Sequence, residues 1–279
     1  MIELKNEDLS KHTTVKIGGT AQRFIIPEST EDLINIVNME HPKYYISGGS
    51  NLLINNRTFD LVVSLKSFDS SIYAQSDGVY KVGASTRLQA LIKQINGDGF
   101  GGIEYLYNVP GLVGGAVAMN AGTGRKQGRA ISDYIVSLEV INNGELVTMG
   151  AEECGFSYRD SFFKSHPDCI ITSVLFQFPT MAQEESSRAR KEKMQYYIEK
   201  QDSSYPNFGS VFRESNYRIM VIVRKLKIGN NVHFSGKTVN WILNENHGTY
   251  HDAITAIRIV ERLHKLFGQK ITREVITWE

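Results

Sequence analysis

Residues 109–122 read VPGLVGGAVAMNAG, fourteen positions that hold four glycines, three alanines and no charge. A core strand selects branched bulk and a solvent loop selects polarity, and this stretch offers neither. So bare a backbone implies close approach by something other than water. A second glycine-dense segment, SGGSNLL at 47–53, follows the strand-like run KYYI at 43–46. Glycine lacks a Cβ, reaches positive φ, and lets successive amide N–H groups converge on an anion. Ser50 and Asn51 add side-chain donors beside it. Two such loops in one domain suit a ligand with a phosphate and an extended flat body, although either loop alone is equally a tight turn or bulge. Neither loop contains Gly-Lys-Ser/Thr or Gly-x-Gly-x-x-Gly, so a phosphate-cradling P-loop and a Rossmann turn are both unsupported.

At 279 residues the chain can bury a sizeable core in one large domain or two. A net charge of +1 gives no electrostatic reason to expect nucleic acid or an anionic membrane as partner. An anionic ligand must therefore be held by a local constellation. The start, MIELKNEDLSKHTT, is too polar for a signal peptide, and no run approaches the ~20 apolar residues of a membrane span. Cys154 and Cys169 are the only cysteines, which favours a reducing compartment and disfavours structural zinc. The expectation is a cytoplasmic protein with no metal site, monomeric, with His12 and His247 at the surface or in caps.

Strand-like runs fall at 23–26, 43–46, 61–65, 79–82, 135–141, 145–149 and 169–178, with a hairpin turn at Asn142, Asn143 and Gly144. Helices are expected at 30–39, behind Ser29 and Thr30, and at 87–95. Composition shifts near Pro179. Residues 182–201 are charged and free of glycine and proline, and predict an exposed helix whose Lys and Arg residues at 188–193 form a solvated face. Further on come strand candidates at 218–225 and a helix over 250–267. In that helix Ile254, Ile257, Val260, Glu261, Leu263 and His264 recur at helical spacing, and Gly268 is its stop.

Several segments in order carry a family resemblance: HTTVKIGGTA at 12–21, the loop at 47–53, GIE at 102–104 leading into the opening stretch, FSYRDS at 156–161, GSVF at 209–212 and REV at 273–275. Together they resemble the UDP-N-acetylenolpyruvoylglucosamine reductases, flavoenzymes that make UDP-N-acetylmuramate for bacterial peptidoglycan. The resemblance implies an α+β fold. An FAD-binding domain of the vanillyl-alcohol-oxidase (PCMH) type would span 1–180 as two subdomains split near 66, with a smaller α+β substrate-binding domain at 181–279. It further implies noncovalent FAD, NADPH as reductant and a nucleotide-sugar substrate. The flavin would lie along Ser47, Gly48, Gly49, Ser50, Asn51 and Leu52, and along Pro110, Gly111, Gly114, Gly115, Ala116, Met119, Asn120, Ala121 and Gly122. In the family the glycine-rich stretch lies against FAD, where a side chain would collide with it.

An arginine fork suits a carboxylate, and Arg159 corresponds to the family arginine beside the enolpyruvyl carboxylate, although an Arg-Asp neighbour is by itself commonly a salt bridge. Ser210 corresponds to the serine that gives a proton to substrate carbon, a task open to so weak an acid only when the acceptor is strongly basic. Glu274 corresponds to the glutamate supporting the same enolate. The implied reaction passes hydride from NADPH through FAD to the enolpyruvyl double bond. Tyr158, Arg213, Lys237 and Asn240 are candidates for substrate contact.

Departures gather in the second domain. Glu214 and Ser215 stand where the family has asparagine and proline, Thr238 where it has histidine, and Ser47 where it has a third glycine; residues 120–124 are shortened. A carboxylate at 214 would repel a diphosphate unless paired or turned away. Two alternatives therefore stay open beside the muramate-pathway reductase: a paralogous flavoenzyme with another nucleotide sugar or small molecule as substrate, and a flavin-binding protein without turnover.

Overall fold

The computed structural model describes residues 1–39, 43–225, 231–245 and 247–279. Along the chain run β1 (Ile2–Asp8), β2 (Thr20–Ile26), α1 (Thr30–Val37), β3 (Lys43–Ile46), β4 (Leu52–Ile54) and β5 (Thr58–Ser64). They are followed by β6 (Ile72–Ser76), β7 (Val79–Gly83), α2 (Leu88–Gly97), α3 (Val113–Ala118), β8 (Ile135–Asn142) and β9 (Glu145–Gly150). Next come α4 (Phe162–Ser165), β10 (Ile170–Gln177), α5 (Gln183–Lys200), β11 (Asn207–Ser210), β12 (Phe212–Glu214) and α6 (Tyr217–Lys225). The chain closes with β13 (Val232–Phe234), β14 (Trp241–Asn244), α7 (Tyr250–Leu266), β15 (Thr272–Arg273) and β16 (Ile276–Trp278). The content is α+β, as expected.

The chain divides into two compact units, and they do not follow a single cut near residue 180. The first comprises Met1–Glu3, Phe24–Ser47 and Leu61–Tyr197; the second comprises Leu4–Arg23, Gly48–Asp60 and Ile198–Glu279. Two N-terminal segments thus belong with the C-terminal third, a grouping that no shift in composition announces.

In the first unit an antiparallel sheet runs in the order β6-β7-β10-β8-β9. Alternation along β10 and β7 turns Val174, Phe176, Tyr80 and Val82 into one core with Leu88, Leu91, Ile92 and Ile95 of α2. Asn143 and Gly144 take φ of 51° and 78°, the left-handed pair that a two-residue hairpin requires. A smaller core joins Leu33 and Ile36 of α1 to Leu61, Val63, Ile141 and Ile170, while β3 pairs in parallel with β5 from Lys43–Leu61 to Ile46–Ser64.

In the second unit β11-β14-β13 form a three-stranded sheet, and α6 and α7 bury Ile219, Met220, Val223, Ile254, Ile257 and Val260 against Val232, Phe234 and Ile242. Here α6 replaces the strand expected at 218–225. The side chain of Asn216 accepts from the Arg218 amide at 3.0 Å, which opens a helical turn, and the apolar run then buries positions 219, 220 and 223 while leaving Ile222 53% exposed. A short apolar run fits either period, and packing against α7 selects the helical one. His264, expected only as one member of a helical stripe, is fully buried: its Nδ1 faces the Val260 carbonyl at 2.9 Å and its Nε2 accepts from the Asn216 amide at 2.9 Å. It is a structural clamp between α7 and the start of α6.

Candidate active site

The opening stretch is neither strand nor loop but the short helix α3. Leu112 in extended conformation starts it, and Val113, Ala116 and Val117, at i, i+3 and i+4, bury one face. Its two glycines do different work. A Cβ on Gly114 would stand 2.9 Å from the Ala84 Cβ, so Gly114 is bare because the protein itself approaches there; its amide donates to the Ala84 carbonyl at 2.8 Å. A Cβ on Gly115 would meet only the Ser47 side chain, at an ordinary 3.5 Å, and the Gly115 amide donates to no described backbone group. An unspent amide donor close to the hydroxyl of Ser47 makes a donor pair suited to a ligand phosphate oxygen.

Gly49 sits at φ +61° with the His12 carbonyl 2.0 Å from where its Cβ would be, so only glycine closes the 47–53 loop. The far end of that loop meets the chain terminus. Asn51 donates from Nδ2 to the Glu274 carbonyl at 3.2 Å, and the Ile276 amide donates to the Asn51 carbonyl at 3.1 Å. Parallel pairing of β4 with β16 then runs from Leu52–Ile276 to Ile54–Trp278.

In the first unit the segment 118–122 is laced to 157–161. Ser161 donates from Oγ to the Ala118 carbonyl at 2.6 Å, Asn120 from Nδ2 to the Ser157 carbonyl at 2.8 Å, and Arg159 from Nη2 to the Gly122 carbonyl at 2.6 Å. Residues expected to touch a cofactor and a residue expected to touch substrate are thus parts of one assembly. The Asn120 amide group is engaged by its own chain, since its Oδ1 also faces the Ser132 amide at 3.4 Å. Arg159 occupies a two-residue turn closed by reciprocal bonds between Ser157 and Asp160 at 3.0 and 3.1 Å, and it stands at φ +56°. An arginine in the left-handed region is strained, and strain of this kind collects where a side chain is needed for function. Lys164 steadies the turn from below, bonding the Arg159 carbonyl at 3.0 Å and Asp160 at 3.3 Å. Tyr158 lies between two guanidiniums, with Arg125 at 4.8 Å and Arg159 at 5.9 Å from its ring centre.

The second unit brings together Ser210 and Glu274. Antiparallel pairing of β12 with β15 matches Phe212 with Arg273, and the amides of Glu274 and Val275 both donate to the Val211 carbonyl, at 2.8 and 3.3 Å. Arg273 is locked to Glu261 of α7 by three contacts of 2.9 to 3.0 Å. Asn240, expected to contact substrate, spends its amide on Phe212: Oδ1 accepts from the amide at 3.1 Å and Nδ2 donates to the carbonyl at 2.8 Å. It holds the segment after Ser210 in line. Lys237 donates to the Ile198 carbonyl at 2.6 Å and Thr238 to the Lys200 carbonyl at 2.8 Å, so both finish the C-terminus of α5. Glu214, the departure that would repel a diphosphate, is paired with Lys270 at 3.2 Å. Arg213 lies in β12 between Phe212 and Glu214, half-buried. Among the described residues no group of His, Cys, Asp and Glu is arranged to hold a metal ion, and both cysteines are buried and free. Burial pushes the Cys154 thiol up to about 11, which makes it inert rather than nucleophilic.

Fold and donor pair together define a flavoprotein of the α+β FAD-binding class: residues 21–150 match the family model described as FAD binding domain. Comparison with curated proteins then narrows the class. The chain is 31% identical to the UDP-N-acetylenolpyruvoylglucosamine reductase of Thermotoga petrophila, over 98% of this chain and 97% of the relative. It is also 31% identical to that of Chlamydia felis, over 96% and 91%. The crystal structure of the Thermus caldophilus reductase superposes with a TM-score of 0.83 at 26% identity, covering 100% of this chain and 98% of the other. The chain belongs to the UDP-N-acetylenolpyruvoylglucosamine reductase family.

Proposed function

We propose that the protein is an NADPH-dependent flavoenzyme that reduces the enolpyruvyl group of UDP-N-acetylenolpyruvoylglucosamine to give UDP-N-acetylmuramate. Family membership over nearly the whole chain supports the substrate and the cofactor pair. The observation that carries the chemical part is the shared Val211 carbonyl, which keeps Ser210 and Glu274 on adjoining strand ends. The residues fit FAD: the open Gly115 amide and the Ser47 hydroxyl would hold a phosphate oxygen. When bound, that flavin supplies hydride chemistry, with NADPH as its reductant.

Ser210 gives its Oγ proton to the carbon next to the carboxylate, and the charge that precedes this transfer is the reason a hydroxyl suffices. Arg159 holds that carboxylate through its planar fork, on a turn whose strain and anchoring to Gly122 fix the direction of the guanidinium. Glu274 supports the same charge, which a carboxyl group does only as a hydrogen-bond donor. Pairing of Glu214 with Lys270 removes the objection that an extra carboxylate poses to a nucleotide diphosphate. The reading takes the enzyme as a cytoplasmic monomer, and no described helix is long and apolar enough to cross a membrane.

The test uses purified protein reconstituted with FAD. NADPH should bleach its visible absorption without oxygen, and the enolpyruvyl nucleotide sugar should restore it within a turnover. Bleaching without reoxidation by that sugar, but with reoxidation by another nucleotide sugar, would replace the substrate assignment. A preparation that takes up no FAD would overturn the reading altogether.

A further inference from the structure

Two cations of the first unit have no part in the chemistry above. Arg129 places its guanidinium carbon 4.9 Å from the centre of the Tyr105 ring. Its main chain lies against Gly122, because Gly122 bridges Ala130 and the Thr123 amide donates to the Arg129 carbonyl at 2.9 Å. Arg159 reaches the Gly122 carbonyl from its own turn. Arg129 and Arg159 therefore attend the same short piece of main chain.

Lys193 arrives from α5. Arg190, Lys193 and Met194 are spaced i, i+3 and i+4 and share a helix face. That face is seated on the segment beside Tyr105: Arg190 lies 5.8 Å from the Tyr107 ring centre, and Asn108 donates from Nδ2 to the Met194 sulfur at 3.3 Å. The solvated face expected at 188–193 is accordingly half-buried at Lys193, where burial first, then repulsion by Arg159 and Arg129, lowers the affinity of the ammonium for its proton.

Two nearby acids are spent on their own surroundings: Asp133 accepts from the Ala130 amide at 2.9 Å, and Glu104 accepts from Asn96 at 2.7 Å and from the Gly102 amide. Among the described residues neither Arg129 nor Lys193 forms an ion pair. Beneath Arg129, the hydroxyl of Tyr105 is buried and has no hydrogen-bond partner among the described residues, in a side chain only 8% exposed. Three like charges and an unspent buried donor converge on one place, an arrangement that an anion would relieve. Both guanidiniums lie over tyrosine rings, which favours a planar anion presented edge-on to their forks.

We propose that Arg129 and Lys193 complete, with Arg159, a three-cation site in the first unit that takes the carboxylate of the enolpyruvyl substrate; the inference rests on the function proposed above. Arg129 and Lys193 bind and position that carboxylate, and no bond is made or broken by them.

The experiment uses the FAD-reconstituted full chain with Arg129→Met, Lys193→Met and the conservative Lys193→Arg. Each Met variant should raise KM for the enolpyruvyl nucleotide sugar by about tenfold or more, with a smaller change in kcat and an unchanged rate of flavin reduction by NADPH. Lys193→Arg should recover most of the loss. A second readout is independent of turnover: pyruvate, against sodium chloride at equal ionic strength, should raise the melting temperature of the wild type and not of either Met variant. Lys193→Met should itself melt higher than wild type without ligand, because it removes a half-buried cation from two others. Should the nucleotide sugar prove not to be the substrate, the pyruvate shift still tests the site, so the two failures are distinguishable. Unchanged KM together with an unchanged pyruvate response overturns the inference. A raised KM for NADPH, with the sugar unaffected, also overturns it, because it assigns the cations to a phosphate.

Discussion

Arg159 donates from Nη2 to the Gly122 carbonyl at 2.6 Å while its own backbone stands at φ +56°. The contact joins the end of the glycine-rich stretch to the turn that carries the candidate carboxylate-binding arginine. It also makes a test that separates strain from function. Arg159→Gly removes both the fork and the left-handed penalty, whereas Arg159→Ala removes the fork alone, so the glycine variant should be the more stable by about 1 kcal/mol. Both should lose turnover with the enolpyruvyl sugar while keeping flavin reduction by NADPH. Thermal denaturation beside stopped-flow absorbance decides it; an alanine variant as stable as the glycine one would show that the turn is unstrained.

Gly114 and Gly115 should fail in different ways. Valine at 114 must displace Ala84, an overpacking cost of about 1–3 kcal/mol, and should lower the melting temperature of the apoprotein. Valine at 115 places its Cβ at ordinary contact distance from the Ser47 side chain and should cost the apoprotein less stability than valine at 114 while abolishing flavin retention. The ratio of visible to ultraviolet absorbance after gel filtration, set against the melting curve, separates the two. Full flavin content in Gly115→Val would remove the donor pair from the cofactor assignment.

Ser210→Ala should leave bleaching by NADPH intact and slow reoxidation by the enolpyruvyl sugar by about 10²-fold or more, the usual loss when a general acid is removed. Single-turnover absorbance measures each half separately. Equal rates in both halves would take Ser210 out of the mechanism.

Acid stability should depend on Asp202. Burial works to raise its carboxyl, but donation from Ser204 at 2.6 Å and from the buried Ser235 at 2.5 Å outweighs it and holds the group below the ordinary aspartate value. A depressed folded value contributes stability that is present above the unfolded value, about 3.9, and is lost as pH falls through the folded one. Ser235→Ala should therefore move the acid-unfolding midpoint upward, and Asp202→Asn should flatten the limb below about pH 4. Circular dichroism against pH reads both, and coincident acid limbs for wild type and Asp202→Asn would refute the assignment.

Much of the first unit was legible because its signals are local. Short strand-like runs marked β7, β8, β9 and β10, the Asn143-Gly144 pair marked the hairpin between β8 and β9, and Ser29 marked the start of α1, where its side chain accepts from the Asp32 amide. The helix at 250–266 was equally open to reading, from the spacing of Ile254, Ile257 and Val260 and the stop at Gly268. By contrast α6 was misread as a strand, since RIMVIVRK satisfies both periods and only the surface of α7 discriminates.

What the sequence by itself determined was the order of motifs, hence the family, and the identity of Arg159, Ser210 and Glu274 as candidates; backbone bareness and residue chemistry are properties of the chain alone. Only tertiary structure decided which bare positions are open. Gly114 is filled by Ala84 and Gly115 is not; Asn120, Lys237 and Asn240 are turned to their own backbone, while Lys193, apparently one more charge on a solvated helix, is drawn toward two arginines. The reason is physical: a hydrogen bond, a clash or a repulsion depends on distance in space, and residues such as 122, 159 and 193 acquire theirs only when the chain has folded.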